Sequence, residues 1–556
     1  MSTTQDTMTP SRVTVGELVA AFLERCGVAC AFGVISIHNM PILDAFGRRG
    51  VIRYVPARGE AGALNMADAH ARVSGGLGVA VTSTGTAAGN AAGAMVEALT
   101  AGTPVLHLTG QIEVPYLDRD LAYIHEAPRQ LEMLRAVSKA AYRVWTPEDA
   151  LPVLREAVRT AMTAPSGPVS VEIPIDVQQA MVDWPEDLAP LPVPVLQPDP
   201  AALDALADAL AAAARPLVWA GGGARGAAAE IARLAGMGIG VVTSVQGRGV
   251  LPEDHPMYLG AYNLHAPVEA FYQRCDAMLV VGSRLRSNET LTYKLKLPEK
   301  LYRIDADARA EHRNYRSCRF VAGDARVALA GLADRLEGRM RIDPGFAADL
   351  ARTREAAVKL VRDGLGPYAA LVDAVQAAAG GDFVWVRDVT VSNSTWGNRA
   401  LAIRGPRDGV HALGGGIGQG LPMGIGAALA AGGRRTFILC GDGGLQLSLA
   451  ELATFVQERP DAVLIVMNDG GYGVIKNIQD VHYGGRRHCV EIIGPDFGVL
   501  ARAIGLTHRR VTRVEDAPAA LAGTGPVMVE VDMQAIGPFA AAFAGPPVRK
   551  AEPVKA

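Results

Sequence analysis

The sequence predicts an α/β protein built from three doubly wound parallel-sheet domains. Its 556 residues exceed what one hydrophobic core holds and fit about three domains. Short runs rich in β-branched residues alternate with stretches of helical spacing, and the runs end in glycine turns, as buried parallel strands do. Hydrophobic residues at 49%, charged residues at 20% and 62 glycines fit a globular α/β enzyme and exclude a disordered or fibrous chain.

In chain order, a first domain is read over 12–180, with a helix at 15–26, a strand at 31–33, a helix at 40–46 and a strand at 53–55. Gly59-Glu60 opens the next helix, and Ser74-Gly75-Gly76 marks its end. A strand at 78–82 leads into a glycine-rich turn, Thr84 to Asn90, then a small-residue helix and strands at 105–109 and 169–173. Residues 181–200, rich in Pro and Asp, read as a linker. A second domain over 201–340 has strands at 217–220, 241–242, 277–281 and 301–304. Gly221-Gly222-Gly223 follows its first strand without a full dinucleotide fingerprint. Residues 341–370 read as a charged helical connector, and a third domain over 370–540 repeats the plan of the first.

The net charge of −3 gives no electrostatic case for nucleic acid or an anionic membrane. The polar N-terminus lacks an apolar signal core, and no apolar run is long enough to span a bilayer. The six cysteines have no metal-ligand spacing and read as reduced, which points to a cytoplasmic protein. The first and last ten residues read as loose tails.

Residues 436–475, TFILCGDGGLQLSLAELATFVQERPDAVLIVMNDGGYGVI, organise the rest. They read as a strand at 437–440, a glycine turn, a helix at 445–458, a strand at 462–467 and a second glycine turn. A strand–helix–strand crossover brings the carboxyl ends of both strands to one sheet edge, where open α/β sheets bind ligands. Asp442 and Asp469, 27 positions apart, therefore converge. Two carboxylates among glycines that admit close main-chain approach suit a hard divalent cation and the diphosphate it neutralises. Gly-Asp-Gly alone more often marks a turn than a site. The second motif, Asn468-Asp469-Gly470-Gly471-Tyr472-Gly473, sharpens the reading.

On these motifs the chain resembles the thiamin-diphosphate (ThDP) enzymes of the acetolactate synthase, benzoylformate decarboxylase and pyruvate decarboxylase group. The resemblance implies Mg²⁺ held by Asp442, Asp469 and the Gly471 carbonyl, with Asn468 as the alternative to Asp469. The family's usual pattern has Asn where this chain has Asp469, so the site gains a negative charge and keeps an oxygen ligand. The diphosphate is expected on the N–H groups of Gly443 and Gly444 at a helix start, beside Tyr472 and the polar groups of Thr390, Ser392 and Asn393. That last segment aligns only with a gap. Ile417 matches the apolar side chain that folds the two cofactor rings together, and Gly415 would offer its carbonyl to the amino group. Without the resemblance, an Ile among glycines is a packing residue.

Glu60, in Arg58-Gly59-Glu60-Ala61-Gly62-Ala63, matches the family's glutamate. Its carboxyl would bond the aminopyrimidine and favour the imino tautomer that takes the thiazolium proton. As a plain helix N-terminal residue it would only complement the helix dipole. In the family the first domain holds the pyrimidine and the third the diphosphate, usually from two subunits. A homodimer or homotetramer with active sites at subunit interfaces is implied. Some members carry FAD in the central domain; the incomplete glycine fingerprint weighs against it here.

Substrate choice is less marked. Ile37, with His38 beside it, stands where pyruvate decarboxylases carry an Asp and benzoylformate decarboxylase a Ser. The segment 81–85 lacks the catalytic His of benzoylformate decarboxylase, Ile475 replaces a Glu of pyruvate decarboxylases, and their tandem histidines are absent. His125-Glu126 resembles the Phe-Gln-Glu segment of acetolactate synthases and pyruvate oxidases, with His for Gln. Histidine exchanges protons near pH 7, so His38 and His125 are candidates for protonating or orienting the intermediate, with a surface or capping role the alternative for each. His70 reads as packing.

The implied reaction is ThDP- and Mg²⁺-dependent cleavage of the C–C bond next to the carbonyl of a small-molecule 2-oxo acid, a decarboxylation, with acetolactate synthase-like carboligation as a second half-reaction. The alternatives are a ThDP-dependent diketone hydrolase or lyase and a catalytically silent ThDP-binding partner subunit. Intact Glu60, Asp442 and Ile417 argue against silence.

Overall fold

A computed structural model of the protein describes residues 11–541, 543 and 545. The loose tails expected at the two ends lie outside these residues. Three six-stranded sheets form in succession, and their strand pairings are parallel. With strands numbered along the chain inside each sheet, the first and third share the order 2-1-3-4-6-5, and the middle one is 3-2-1-4-5-6. The middle order is that of dinucleotide folds. The likeness of the first and third domains, expected from their alternation of elements, is therefore a likeness of topology.

The elements form where period and caps agree. Helix Val15–Arg25 buries Val15, Leu18, Val19, Phe22 and Leu23, the spacing of one helical face. Thr14 caps it by accepting the Glu17 N–H at 3.2 Å. Helix Glu60–Ser74 ends at Gly75, whose φ of 76° favours glycine. Strand Ala462–Asn468 is buried over all but its last residue, so it reads as one apolar run. Each sheet has its own core, centred on residues such as Phe22 and Phe46, Trp219 and Phe271, and Trp385 and Phe437.

The chain divides into two compact units. One holds residues up to Pro194 with Ile425–Ala430 and Ala450–Glu458; the other holds the remainder. Several expectations are corrected. The supposed linker begins as a strand, Met181–Asp183, paired antiparallel with Arg12–Thr14. The connector helix Phe346–Leu365 buries Phe346 and Leu350 in the middle sheet's core and so belongs to that domain. The helix read at 445–458 is broken into Asp442–Leu445, a 3₁₀ turn Gln446–Ser448 and Glu451–Glu458. The break lets Glu451 turn inward, where its carboxylate is buried and accepts the Arg58 N–H. All six cysteines are free, and Cys318 and Cys489 are exposed. Among the described residues no helix is long and apolar enough to cross a membrane.

Candidate active site

Strands Arg435–Gly441 and Ala462–Asn468 pair in parallel with Gly441 beside Met467, so Asp442 and Asp469 leave the same edge of the third sheet. The Asp469 N–H donates to Asp442 Oδ1 at 3.2 Å. Burial pushes the Asp442 carboxyl up, opposed by N–H groups of Asp469 and Gly471. Burial, then the Asp442 charge, raises Asp469 to about 6, with Lys476 opposing. Asp469 Oδ1 is buried and unpartnered. Asn468 faces elsewhere, as alternation along a strand requires. Its amide donates to Glu530 at 2.8 Å and its oxygen accepts the Gly470 N–H at 3.2 Å.

A pocket of about 380 Å³ opens at this edge. It lies where the strand order reverses between Phe383–Arg387 and Arg435–Gly441, the position at which doubly wound sheets bind ligands. Thr390, Ser392, Gly415, Ile417, Asp442, Gly443, Gly444, Asp469, Gly471 and Tyr472 all line it. The two glycine turns meet tightly: a Cβ on Gly443 would lie 2.6 Å from the Gly471 carbonyl oxygen and 2.9 Å from the Tyr472 ring. Gly415, at φ 85°, faces open space. Asn393 stands behind the lining, first in a π-helical turn Asn393–Gly397, and its N–H donates to Thr390 Oγ1 at 2.9 Å. A π turn takes in one residue more than an α turn, which is why spacing alone leaves this segment unaligned.

The donor set suits a cation and a diphosphate. Asp469 Oδ1, Ser392 Oγ and Asn393 Oδ1 are buried without partners, and leaving such groups unpaired costs about 1–3 kcal/mol each. Among the described residues no three His, Cys, Asp or Glu side chains cluster as a metal site. Two carboxylates and a carbonyl leave the rest of a magnesium shell to ligand oxygens and water.

Asp388, two positions before Thr390 and not singled out in the sequence, is the anchor of the Ile417 loop. Its carboxylate is 1% exposed and accepts the Val389 N–H at 2.8 Å and the Gly418 N–H at 2.9 Å. Burial raises it to about 6, against these bonds and those from Gly420 and Gln419.

The first unit holds Glu60, His38 and His125. Glu60 opens its helix, and Asn90 Nδ2 donates to its Oε2 at 3.1 Å. Glu451 braces the chain just before it, accepting the Arg58 N–H at 3.0 Å and the Thr454 hydroxyl at 2.7 Å. Gly62 makes room for that carboxylate, since a Cβ there would overlap it. His38 and His125 meet edge to face with ring centres 5.2 Å apart. Burial and then His125 lower His38, and Glu113 opposes them. His125 has a φ of 70° and rests its carbonyl on Gly85. Gln130, not singled out in the sequence, accepts the Gly85 N–H at 2.6 Å and donates to buried Glu172 at 2.8 Å. His70 packs edge-on against Phe32, as read.

In the middle sheet, the Gly221–Gly223 turn is explained by main-chain packing. The Gly223 N–H donates to the Gly282 carbonyl at 3.0 Å, and a Cβ on Gly221 would lie 2.6 Å from Ser283 Cβ.

Two sheets of one topology, a middle sheet of dinucleotide order and a paired-carboxylate pocket at a strand switch point together define a ThDP enzyme. Family models agree along the chain. The thiamine pyrophosphate enzyme N-terminal TPP binding domain matches residues 13–133, the central domain 203–332 and the C-terminal TPP binding domain 390–531. The chain belongs to this thiamine pyrophosphate enzyme family. It is 34% identical over 510 residues to a probable 2-ketoarginine decarboxylase of Pseudomonas aeruginosa, covering 90% of this chain and 89% of that protein. It is 28% identical to acetolactate synthase 2, chloroplastic, of Zea mays, covering 93% and 84% respectively. It is also 28% identical to the acetolactate synthase isozyme 1 large subunit of Escherichia coli, covering 87% and 86%.

Proposed function

We propose that the protein is a ThDP- and Mg²⁺-dependent decarboxylase of 2-oxo acids. The observation that carries the reading is the single pocket into which Asp442, Asp469, Gly443 and Ile417 all open. When bound, ThDP supplies a carbanion that adds to the substrate carbonyl and an electron sink for the bond that breaks. Asp442, Asp469 and the Gly471 carbonyl would hold Mg²⁺, and the N–H groups of Gly443 and Gly444, with Thr390 and Ser392, would hold the diphosphate. Ile417 would support the cofactor rings from the loop that Asp388 anchors. Glu60 would bond the pyrimidine ring through its carboxyl and set which tautomer is present. In a homodimer or homotetramer, Glu60 of one subunit would serve the pocket of another.

Decarboxylation rather than carboligation is the outcome proposed, with the paired rings of His38 and His125 as candidates for orienting the intermediate. The relative named for 2-ketoarginine supports the same outcome. The test is to incubate the protein with ThDP, Mg²⁺ and aliphatic, aromatic and guanidinium-bearing 2-oxo acids, and separately with a diketone, and to identify products by NMR. Aldehyde alone is expected. Acyloin or 2-hydroxy-2-acyl acid would make the protein a carboligase, and consumption only of a diketone would replace the substrate class.

A further inference from the structure

The metal turn carries one charge more than the family's usual Asn provides, and the chain around it is shaped to that charge. The Asp469 carboxylate lies against Gly473, where any Cβ would overlap Oδ2. Gly473 opens the ten-residue helix Gly473–His482, so the carboxylate stands at the positive end of a helix. One turn further on, Lys476 reaches back, and its Nζ donates to the carbonyl oxygens of Asp469 and Gly470 at 3.0 Å each. Gly471, at φ 149°, covers the lysine: a Cβ there would lie 3.2 Å from Nζ and overlap the Val490 carbonyl. The lysine is thus packed under the turn, and its positive charge sits on the main chain of the residue that bears the additional carboxylate.

We propose that Lys476 is a built-in counter-ion for Asp469, balancing the additional carboxylate of the metal turn and pinning the two carbonyl groups that precede Gly471. The inference rests on the reading of Asp442 and Asp469 as cation ligands. Without a cation, two convergent carboxylates repel, and the lysine keeps the turn in shape. With a cation, the lysine opposes it, so the site holds divalent metal less tightly than two carboxylates alone would.

The test uses the full-length protein with ThDP at fixed concentration, Mn²⁺ titrated and read by the resonance of the free ion, and thermal unfolding without metal. Lys476→Met is expected to tighten Mn²⁺ on the order of tenfold, the effect of removing one opposing charge from a partly buried site. It also lowers the metal-free melting temperature. Asp469→Asn with Lys476→Met recovers that melting temperature, because the unpaired carboxylate is gone; the coupling between the two changes is the signature. Unchanged or weakened Mn²⁺ binding in Lys476→Met, or effects that simply add, overturns the proposal. Asp442→Ala separates the two levels. If it leaves Mn²⁺ binding intact, the ligand reading fails and the counter-ion with it; if it abolishes binding while Lys476→Met is silent, only the counter-ion fails.

Discussion

Replacing Asp388 by Asn separates what a buried carboxylate costs from what it holds. Its pKa rises from 3.8 to about 6 on burial. At neutral pH that difference amounts to about 3 kcal/mol against the folded state. The amide removes this cost but turns one acceptor into a donor, facing either the Val389 or the Gly418 N–H. An N–H left facing that donor loses its acceptor, which costs about 1–3 kcal/mol, so the two effects nearly cancel. Global stability should change by no more than about 1 kcal/mol, while the loop carrying Ile417 loosens. Amide hydrogen exchange followed by mass spectrometry over residues 413–420 reads this directly. Exchange there should quicken about 10- to 100-fold, and ThDP affinity should fall. Unchanged exchange at Gly418, or a loss of global stability above about 3 kcal/mol, would refute the anchoring role.

Glu60→Gln should keep ThDP binding in titration calorimetry and lose turnover by orders of magnitude; near-normal turnover would remove Glu60 from the mechanism. Glu451→Ala leaves the Arg58 N–H and the Thr454 hydroxyl without their acceptor and should cost about 2–4 kcal/mol in chemical denaturation, whereas a cost near zero would end its bracing role. Burial lowers His70 and His107 from 6.5 to about 4. Their folded forms then bind fewer protons than the unfolded chain between those values, so stability present above pH 6.5 is lost as pH falls toward 4. In denaturation curves at pH 7 and 5, His107→Gln should flatten that loss by roughly 1 kcal/mol per pH unit; an unchanged slope would contradict it.

The paired glycine turns were legible because their parts are local. Gly-Asp-Gly and Asn-Asp-Gly-Gly each sit at the end of an apolar strand, and the crossover rule brings them together without knowledge of the rest. Asp388 was not, because its function depends on the sheet setting it beside Gly418, 30 residues away. Glu451 was hidden for the same reason, since the Arg58 N–H it accepts lies 393 residues earlier. Strand Ala140–Arg143 escaped notice because its composition is weak; Arg143 is buried in ion pairs with Glu172 at 2.7 Å and Asp118 at 2.6 Å. The choice between Asn468 and Asp469 could not be read from spacing. The side chain of Asn468 is set by strand phase and by Glu530, whose carboxylate engages its amide. His38 and His125 were visible as residue types, and only the fold brings the two rings into contact.

The most direct test of the central claim is cofactor dependence. Protein stripped of metal and cofactor is mixed with a 2-oxo acid panel, and release of carbon dioxide is followed as ThDP and Mg²⁺ are restored singly and together. The account predicts release only with both present, and its loss in Asp442→Ala. Release that persists without ThDP or Mg²⁺, or an active Asp442→Ala protein, would contradict it.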